Sequence, residues 1–329
     1  MANAHNGATV LDMARASRSL QSIADQDIDW KEYKFREERA KVVPAHQLAE
    51  EGMRRMMLGR TQSAVGLSLP WVKAQGKVCM APGKLIVWAG WQHHGKSNMA
   101  KQIMLHAITN NEKVCIASME EEMHDVWEDL GFMACGSDIP SVREIKRWTE
   151  FQKNSLWFYD QQGTVSAQKI LLVIRYCAEE LGVTQFVVDS LMMLEVARDD
   201  YDAQSRFVGQ LKALAKDTHC DIHLIAHMRK GERTGGEDRP GDVADIAGGH
   251  EIGSKADYVF VVWRDKERKV ITNPECVLLV KKQRGRINWL GNIGLDFHPG
   301  SRQYIEGKSA MSFWINSPAT AVGEVCVEF

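Results

Sequence analysis

From residue 84 onward, short apolar runs alternate with longer segments whose apolar positions recur every three or four residues. The runs are Leu85–Ala89, Lys113–Ala117, Leu156–Tyr159, Gln185–Val188, Asp221–Ala226, Tyr258–Trp263 and Glu275–Val280. Several are rich in Val and Ile, which predicts buried strands. Between them, Ser97–Thr109, Met123–Ala134, Ser141–Phe151, Ser166–Leu181 and Asp202–Thr218 have helical spacing. Strands that are apolar on both faces, interleaved with amphipathic helices, predict an α/β fold with a mostly parallel central sheet flanked by helices. In such sheets ligands gather at the carboxyl ends of the strands.

The pattern differs before residue 60. There Glu, Arg, Lys, Gln and Met dominate, with helical spacing in Val10–Ile23 and Ala45–Leu58 and Pro44 between them. Residues 1–60 are thus expected to form a helical N-terminal arm, either capping its own core or packing on a neighbouring subunit. Gly66, Pro70, Gly76, Pro82 and Gly83 mark residues 61–83 as a connector. Residues 84–308 form the main domain, and residues 309–329 a tail that matches no recognisable pattern.

Composition adds exclusions. A hydrophobic share of 44% is ample for a packed core. A net charge of −2 argues against a uniformly basic nucleic-acid binder but leaves room for a local basic groove. The seven cysteines form no C-x-x-C pair, so a zinc ribbon is not expected; buried thiols in a reducing cytoplasm are. The first residues lack an apolar signal core, and no apolar run is long enough to span a bilayer. The expectation is a cytoplasmic protein with no membrane partner.

The chemistry lies at the strand ends. Gly90-Trp91-Gln92-His93-His94-Gly95-Lys96-Ser97 fits G-x-x-x-x-G-K-[ST] between a strand and a helix beginning at Asn98. That arrangement gathers backbone N–H groups around an anion. Gly90, Gln92, His93, His94, Gly95, Lys96, Ser97 and Asn98 are therefore expected around a nucleoside triphosphate, with Lys96 on the β/γ-phosphates and Ser97 on Mg²⁺. The side chains of His93 and His94 are free to face outward, since the backbone does the cradling. Phe186-Val187-Val188-Asp189 ends a strand in an acid suited to orienting Mg²⁺ or its water. Ser118-Met119-Glu120-Glu121-Glu122 follows another strand and offers three carboxylates for activating water. An acidic first helical turn would account for Glu121 and Glu122, and Glu120 is taken as the base. His227 ends a further strand, followed by Arg229 and Lys230 and by a glycine-rich segment with Arg233 and Arg239. These cations suit contacts with nucleic-acid phosphates. Lys281-Lys282-Gln283-Arg284-Gly285-Arg286 closes the last strand with cations, one of which could act as an arginine finger on a neighbouring subunit's nucleotide.

In this order, the motifs from about Gly83 to Glu306 resemble the RecA-like P-loop NTPase motor of DnaB-type hexameric replicative helicases, especially the phage helicase–primases and the mitochondrial Twinkle helicase. Ala226-His227-Met228-Arg229-Lys230, Ala256-Asp257-Tyr258-Val259 and Lys282-Gln283-Arg284 carry the resemblance beyond the phosphate loop. It implies an ATP-dependent helicase that moves 5′–3′ on single-stranded DNA as a ring, with ATP (or another NTP) and Mg²⁺ at subunit junctions. It implies Glu120 as the water-activating residue, His227 as a γ-phosphate sensor, and Arg284 with Lys282 acting across the junction. Arg229, Lys230, Arg233 and Arg239 would line the DNA channel. Implied partners are further copies, six by family habit, and a primase or helicase loader; a phage origin implies a bacterial host cytoplasm. A RecA-like recombinase or accessory single-strand-binding ATPase is the alternative. Ser254 stands where the family usually carries a Gln that links nucleotide state to DNA. No zinc-bearing primase segment precedes the motor here, and residues 1–60 are short for the family's helical collar.

Overall fold

The computed structural model describes residues 44–161, 163–193, 200–229, 239–247, 250–266 and 273–307, with residues 310 and 313. The helix expected over Val10–Ile23, Lys230, Arg233 and nearly all of residues 309–329 lie outside them. The chain divides into two compact units, residues 1–57 and 58–329. A 3-10 turn (Ala45–Leu48) leads into helix α1 (Ala49–Gln62), which begins in the first unit, ends in the second, and exposes Met53, Met56 and Met57. α1 is interrupted at Gly59, whose φ of 72° is not helical.

The second unit is built on a nine-stranded sheet. The chain first makes a short antiparallel pair, β1 (Leu67–Ser68) with β2 (Cys79–Met80). β3 (Leu85–Gly90) then leads to α2 (Lys96–Thr109), β4 (Val114–Ser118), α3 (Met123–Cys135), α4 (Val142–Gln152) and β5 (Leu156–Phe158). Next come α5 (Ala167–Glu180), β6 (Gln185–Asp189), α6 (Tyr201–Thr218), β7 (Asp221–His227), α7 (His250–Lys255) and β8 (Tyr258–Arg264). The chain continues through β9 (Cys276–Gln283), β10 (Gly291–His298) and β11 (Gln303–Ile305). The strand order is β11-β10-β9-β8-β3-β7-β6-β4-β5. β8 through β5 pair in parallel, while β9, β10 and β11 return antiparallel.

Alternation along each strand feeds two cores, one per face. Ile86, Trp88, Ile116, Val187 and Ile225 join Met99, Ile103, Val126 and Leu130 of α2 and α3. Leu85, Val87, Ala89, Val188 and Leu224 join Ile170 and Ile174 of α5 and Phe207 and Leu211 of α6. Full burial of each large aliphatic side chain contributes roughly 1.5–3 kcal/mol. All residues of β3, β4 and β6 are buried, as a doubly covered parallel sheet requires.

Residues 61–83, expected as a connector, instead contribute Leu67, Leu69, Trp71, Ala74, Val78 and Met80 to the first core. β10 and β11 were not foreseen. Gly291, Asn292, Gly294 and Asp296 give β10 the composition of a turn, and only Ile293 and Leu295 are buried in it. At the amino edge of the sheet a polar chain crosses the interior. Trp88 Nε1 donates to His223 Nδ1 (3.0 Å), His223 Nε2 bonds Gln185 Oε1 (2.8 Å), and Gln185 Nε2 donates to Asp221 (3.1 Å). Burial pushes the Asp221 carboxyl up to about 7 and the His223 imidazole down to about 3. The accepting Nδ1 keeps His223 neutral with its proton on Nε2.

Candidate nucleotide site

Strand register brings the chemistry together. Gly90 aligns with His227 in the β3–β7 pair, and Ser118 with Asp189 in the β4–β6 pair. The carboxyl ends of β3, β4, β6 and β7 therefore form one edge, carrying the phosphate loop, Glu120, Asp189 and His227. β3 lies where the chain order reverses, between β7 and β8, the usual place for a ligand crevice.

The loop's two glycines are sterically required. A Cβ on Gly90 would lie 2.4 Å from the Val262 carbonyl oxygen, and one on Gly95 would lie 1.8 Å from Tyr304 Oη. Gly95 caps α2 with φ 83°, a left-handed conformation that opens the helix N-terminus toward the loop. Tyr304 Oη donates to the Gly95 carbonyl (3.1 Å), and Asn98 Nδ2 donates to the Arg302 carbonyl (2.7 Å). Lys96 is buried, and its Nζ donates to the Trp91 carbonyl (2.9 Å). Burial draws its pKa down to about 8, against the opposing pull of Asp189 and Glu120. Gln92 and His93 are exposed. His94, expected to face outward, is buried, with its Nδ1 accepting the Arg264 backbone N–H (3.0 Å). It holds the loop to the end of β8, a contact that the motif leaves unstated because it treats these positions as free.

Asp189 is buried, and burial raises its pKa to about 6, opposed by a hydrogen bond from Ser97. Its Oδ1 has no hydrogen-bond partner among the described residues. A buried carboxylate oxygen left open beside a hydroxyl suits a divalent cation with its water shell, since Mg²⁺ takes oxygen ligands and keeps several waters. The donor set therefore fits Mg²⁺.

The three glutamates separate by partner. Glu120 Oε1 accepts the Ser190 hydroxyl and lies 3.6 Å from His227 Nε2. Its pKa is held down to about 2, first by His227 and also by Ser190 and Lys96, against desolvation. Glu121 is engaged by Lys101, which also pairs with buried Asp129 (2.7 Å). Glu122 is exposed at the N-cap of α3. Glu121 and Glu122 thus both precede the helix, rather than lying in its first turn as expected. Ser190, which follows Asp189 in the strand-end motif, orients Glu120, a contact the motif does not announce.

The basic residues fall into two groups. Arg229 and Arg239 flank the segment after β7; the Arg229 guanidinium donates to the Ala244 carbonyl (3.2 Å), and both side chains are exposed. Lys282 and Arg284 are not with the phosphate loop. β9 runs antiparallel to β8, so Gln283 pairs with Tyr258 at the amino edge. That edge is about 20 Å from the phosphate loop along β3. Lys282 Nζ caps α7 through the Gly253 and Ser254 carbonyls (2.8 and 2.6 Å), and burial lowers its pKa to about 8. Asp257 pairs with Lys212 (2.8 Å) and accepts the Arg284 backbone N–H at its carbonyl, leaving the Arg284 side chain exposed.

Comparison with known proteins matches residues 77–306 to the DnaB-like helicase C-terminal domain. Among solved structures, the chain is similar to one described as an "ATPase Domain", at 14% identity and a TM-score of 0.67, over 81% of this chain and 100% of that one. It is also similar to a structure described as a "DnaB-Like Replicative Helicase And Its Interactions With Primase", at 17% identity and a TM-score of 0.58. That match covers 68% of this chain and 59% of the other. Both likenesses bear out the RecA-like architecture expected from the sequence.

Proposed function

Because this chain belongs to the DnaB-like helicase C-terminal domain family, we propose that it is an ATP-dependent DNA helicase. It moves 5′–3′ on single-stranded DNA as a ring, six subunits by family habit, and hydrolyses NTP at subunit junctions. The observation that carries this reading is the split of the charged groups between opposite edges of one sheet. Lys96, Ser97, Asp189, Glu120 and His227 occupy the carboxyl edge, and Lys282 and Arg284 the amino edge. An arginine so placed cannot serve its own nucleotide and suits the next subunit's.

In this reading the backbone N–H groups of Gln92 to Asn98 cradle the phosphates, and the Lys96 ammonium neutralises them. Ser97 and Asp189 would hold Mg²⁺, which would screen the negative charge that develops during phosphoryl transfer. Glu120, ionised at neutral pH, accepts a proton from the attacking water. His227, in contact with Glu120, passes the state of the site to Arg229. Arg284 from the neighbour stabilises charge on the transferring phosphoryl group. Arg229, Lys230, Arg233 and Arg239 grip the DNA backbone, a sequence-tolerant and salt-sensitive contact. A primase or loader is the expected partner, and the host cytoplasm the expected setting; no helix among the described residues is long and apolar enough to cross a membrane.

Subunit mixing tests this. Lys96→Ala and Arg284→Ala proteins should each lose DNA-stimulated ATPase, and their mixture should regain part of it, because some junctions combine an intact Lys96 with an intact Arg284. A mixture as inactive as its components would refute the shared site, and wild-type ATPase indifferent to single-stranded DNA would refute the motor.

A further inference from the structure

Two consecutive residues at the start of the phosphate loop hold both ends of the segment that carries the basic residues. At its front, the Met228 N–H donates to the Gly90 carbonyl (3.2 Å), one residue before Arg229. At its rear, Trp91 Nε1 donates to the Arg239 carbonyl (3.1 Å). The front end is tied in addition to the chain just beyond the rear end. Met228 bridges Ile246, Arg229 N–H donates to the Asp245 carbonyl (2.8 Å), and a Cβ on Gly241 would lie 2.0 Å from Met228 Sδ. Trp91 is 5% exposed and packs in the second core with Met228 and Ile246. Its own carbonyl accepts Lys96 Nζ (2.9 Å).

On the helicase reading above, we propose that Trp91 is a positioning residue that couples nucleotide state to the grip on single-stranded DNA. Lys96 is the link. Its ammonium has three donors, and a phosphate oxygen competes with or shares the one given to the Trp91 carbonyl. A packed indole has no slack, so a change at its peptide shifts the ring as a body. The indole N–H carries that shift to Arg239, while Gly90 anchors the Arg229 end. A ring N–H that merely satisfies a nearby carbonyl would stay unmoved by nucleotide.

The test measures affinity for a fluorescent oligo(dT) with a non-hydrolysable ATP analogue and with ADP, in wild type and Trp91→Phe. The substitution keeps an aromatic ring and removes the donor. Wild type should bind with a clear ratio between the two nucleotide states. Trp91→Phe should shrink that ratio about fivefold, the worth of one hydrogen bond, or abolish it. Wild type that binds no oligonucleotide in either state sinks the helicase reading and the coupling with it. A wild-type ratio that survives in Trp91→Phe to within about twofold sinks the coupling alone. If Trp91→Phe does not fold, amide exchange in wild type decides. Peptides over residues 239–247 should change protection when the analogue replaces ADP, and unchanged protection overturns the proposal.

Discussion

The contact between Gly95 and Tyr304 allows a quantitative test of how the phosphate loop is framed. In Gly95→Ala the new methyl would sit 1.8 Å from Tyr304 Oη, with Cζ behind it at 3.2 Å. Relief requires the hydroxyl to retreat by about 1.7 Å to reach ordinary van der Waals separation. It has nowhere to go. The Tyr304 ring is buried, and its main chain is bolted to α2 by Gln102, whose amide donates to the Tyr304 carbonyl (2.9 Å) and accepts its N–H (2.7 Å). Overpacking of this kind costs roughly 1–3 kcal/mol, and an alanine held at left-handed φ adds roughly 1–2 kcal/mol. Tyr304→Phe alone should cost about 1 kcal/mol for the lost donation, since the Gly95 carbonyl still accepts the Met99 N–H (2.9 Å). In the double variant the atom at 1.8 Å is gone and only the φ penalty and a mild contact remain. The double should therefore be less destabilised than the sum of the singles by roughly 1–3 kcal/mol. Urea unfolding of the four proteins, followed by tryptophan fluorescence, reads this directly. Additivity to within about 0.5 kcal/mol would refute the steric account.

Other outcomes rest on the same geometry. Glu120→Gln should retain ATP-analogue binding while turnover falls roughly 10²–10⁴-fold; Glu121→Gln should keep most turnover, and the opposite ranking would reassign the base. Asp221 gives a pH signature: its folded pKa of about 7 exceeds the unfolded value near 3.8 because burial penalises the charge. Its contribution to stability is fully present below the unfolded value and is lost as pH rises to about 7, by up to roughly 4 kcal/mol. A pH series of urea midpoints should show Asp221→Asn without this decline, and parallel wild-type and variant curves would contradict it.

Much of this was legible in the sequence because it rests on local rules. The apolar runs and helical spacings located β3 to β9 and α2 to α6, and Gly90 and Gly95 marked the two loop positions at which a side chain has no room. What escaped depends on contacts between distant segments. Nothing around Glu121 reveals that Lys101 engages it, and nothing in a phosphate-loop pattern reveals that His94 turns inward to the end of β8. Leu67, Leu69 and Trp71 were hidden because Gly66 and Pro70 beside them signal a linker. The placement of Arg284 at the amino edge follows from the antiparallel return of β9, which a single apolar run does not encode.

Tyr304 belongs to the sheet's final strand, yet it closes the space beside a loop laid down more than two hundred residues earlier. During synthesis, the glycine-framed turn leaves the ribosome long before the tyrosine that packs against it. A nascent chain halted ahead of β11 would carry every letter of the motif while lacking its frame. The surroundings of the loop are thus complete only once β11 has been made.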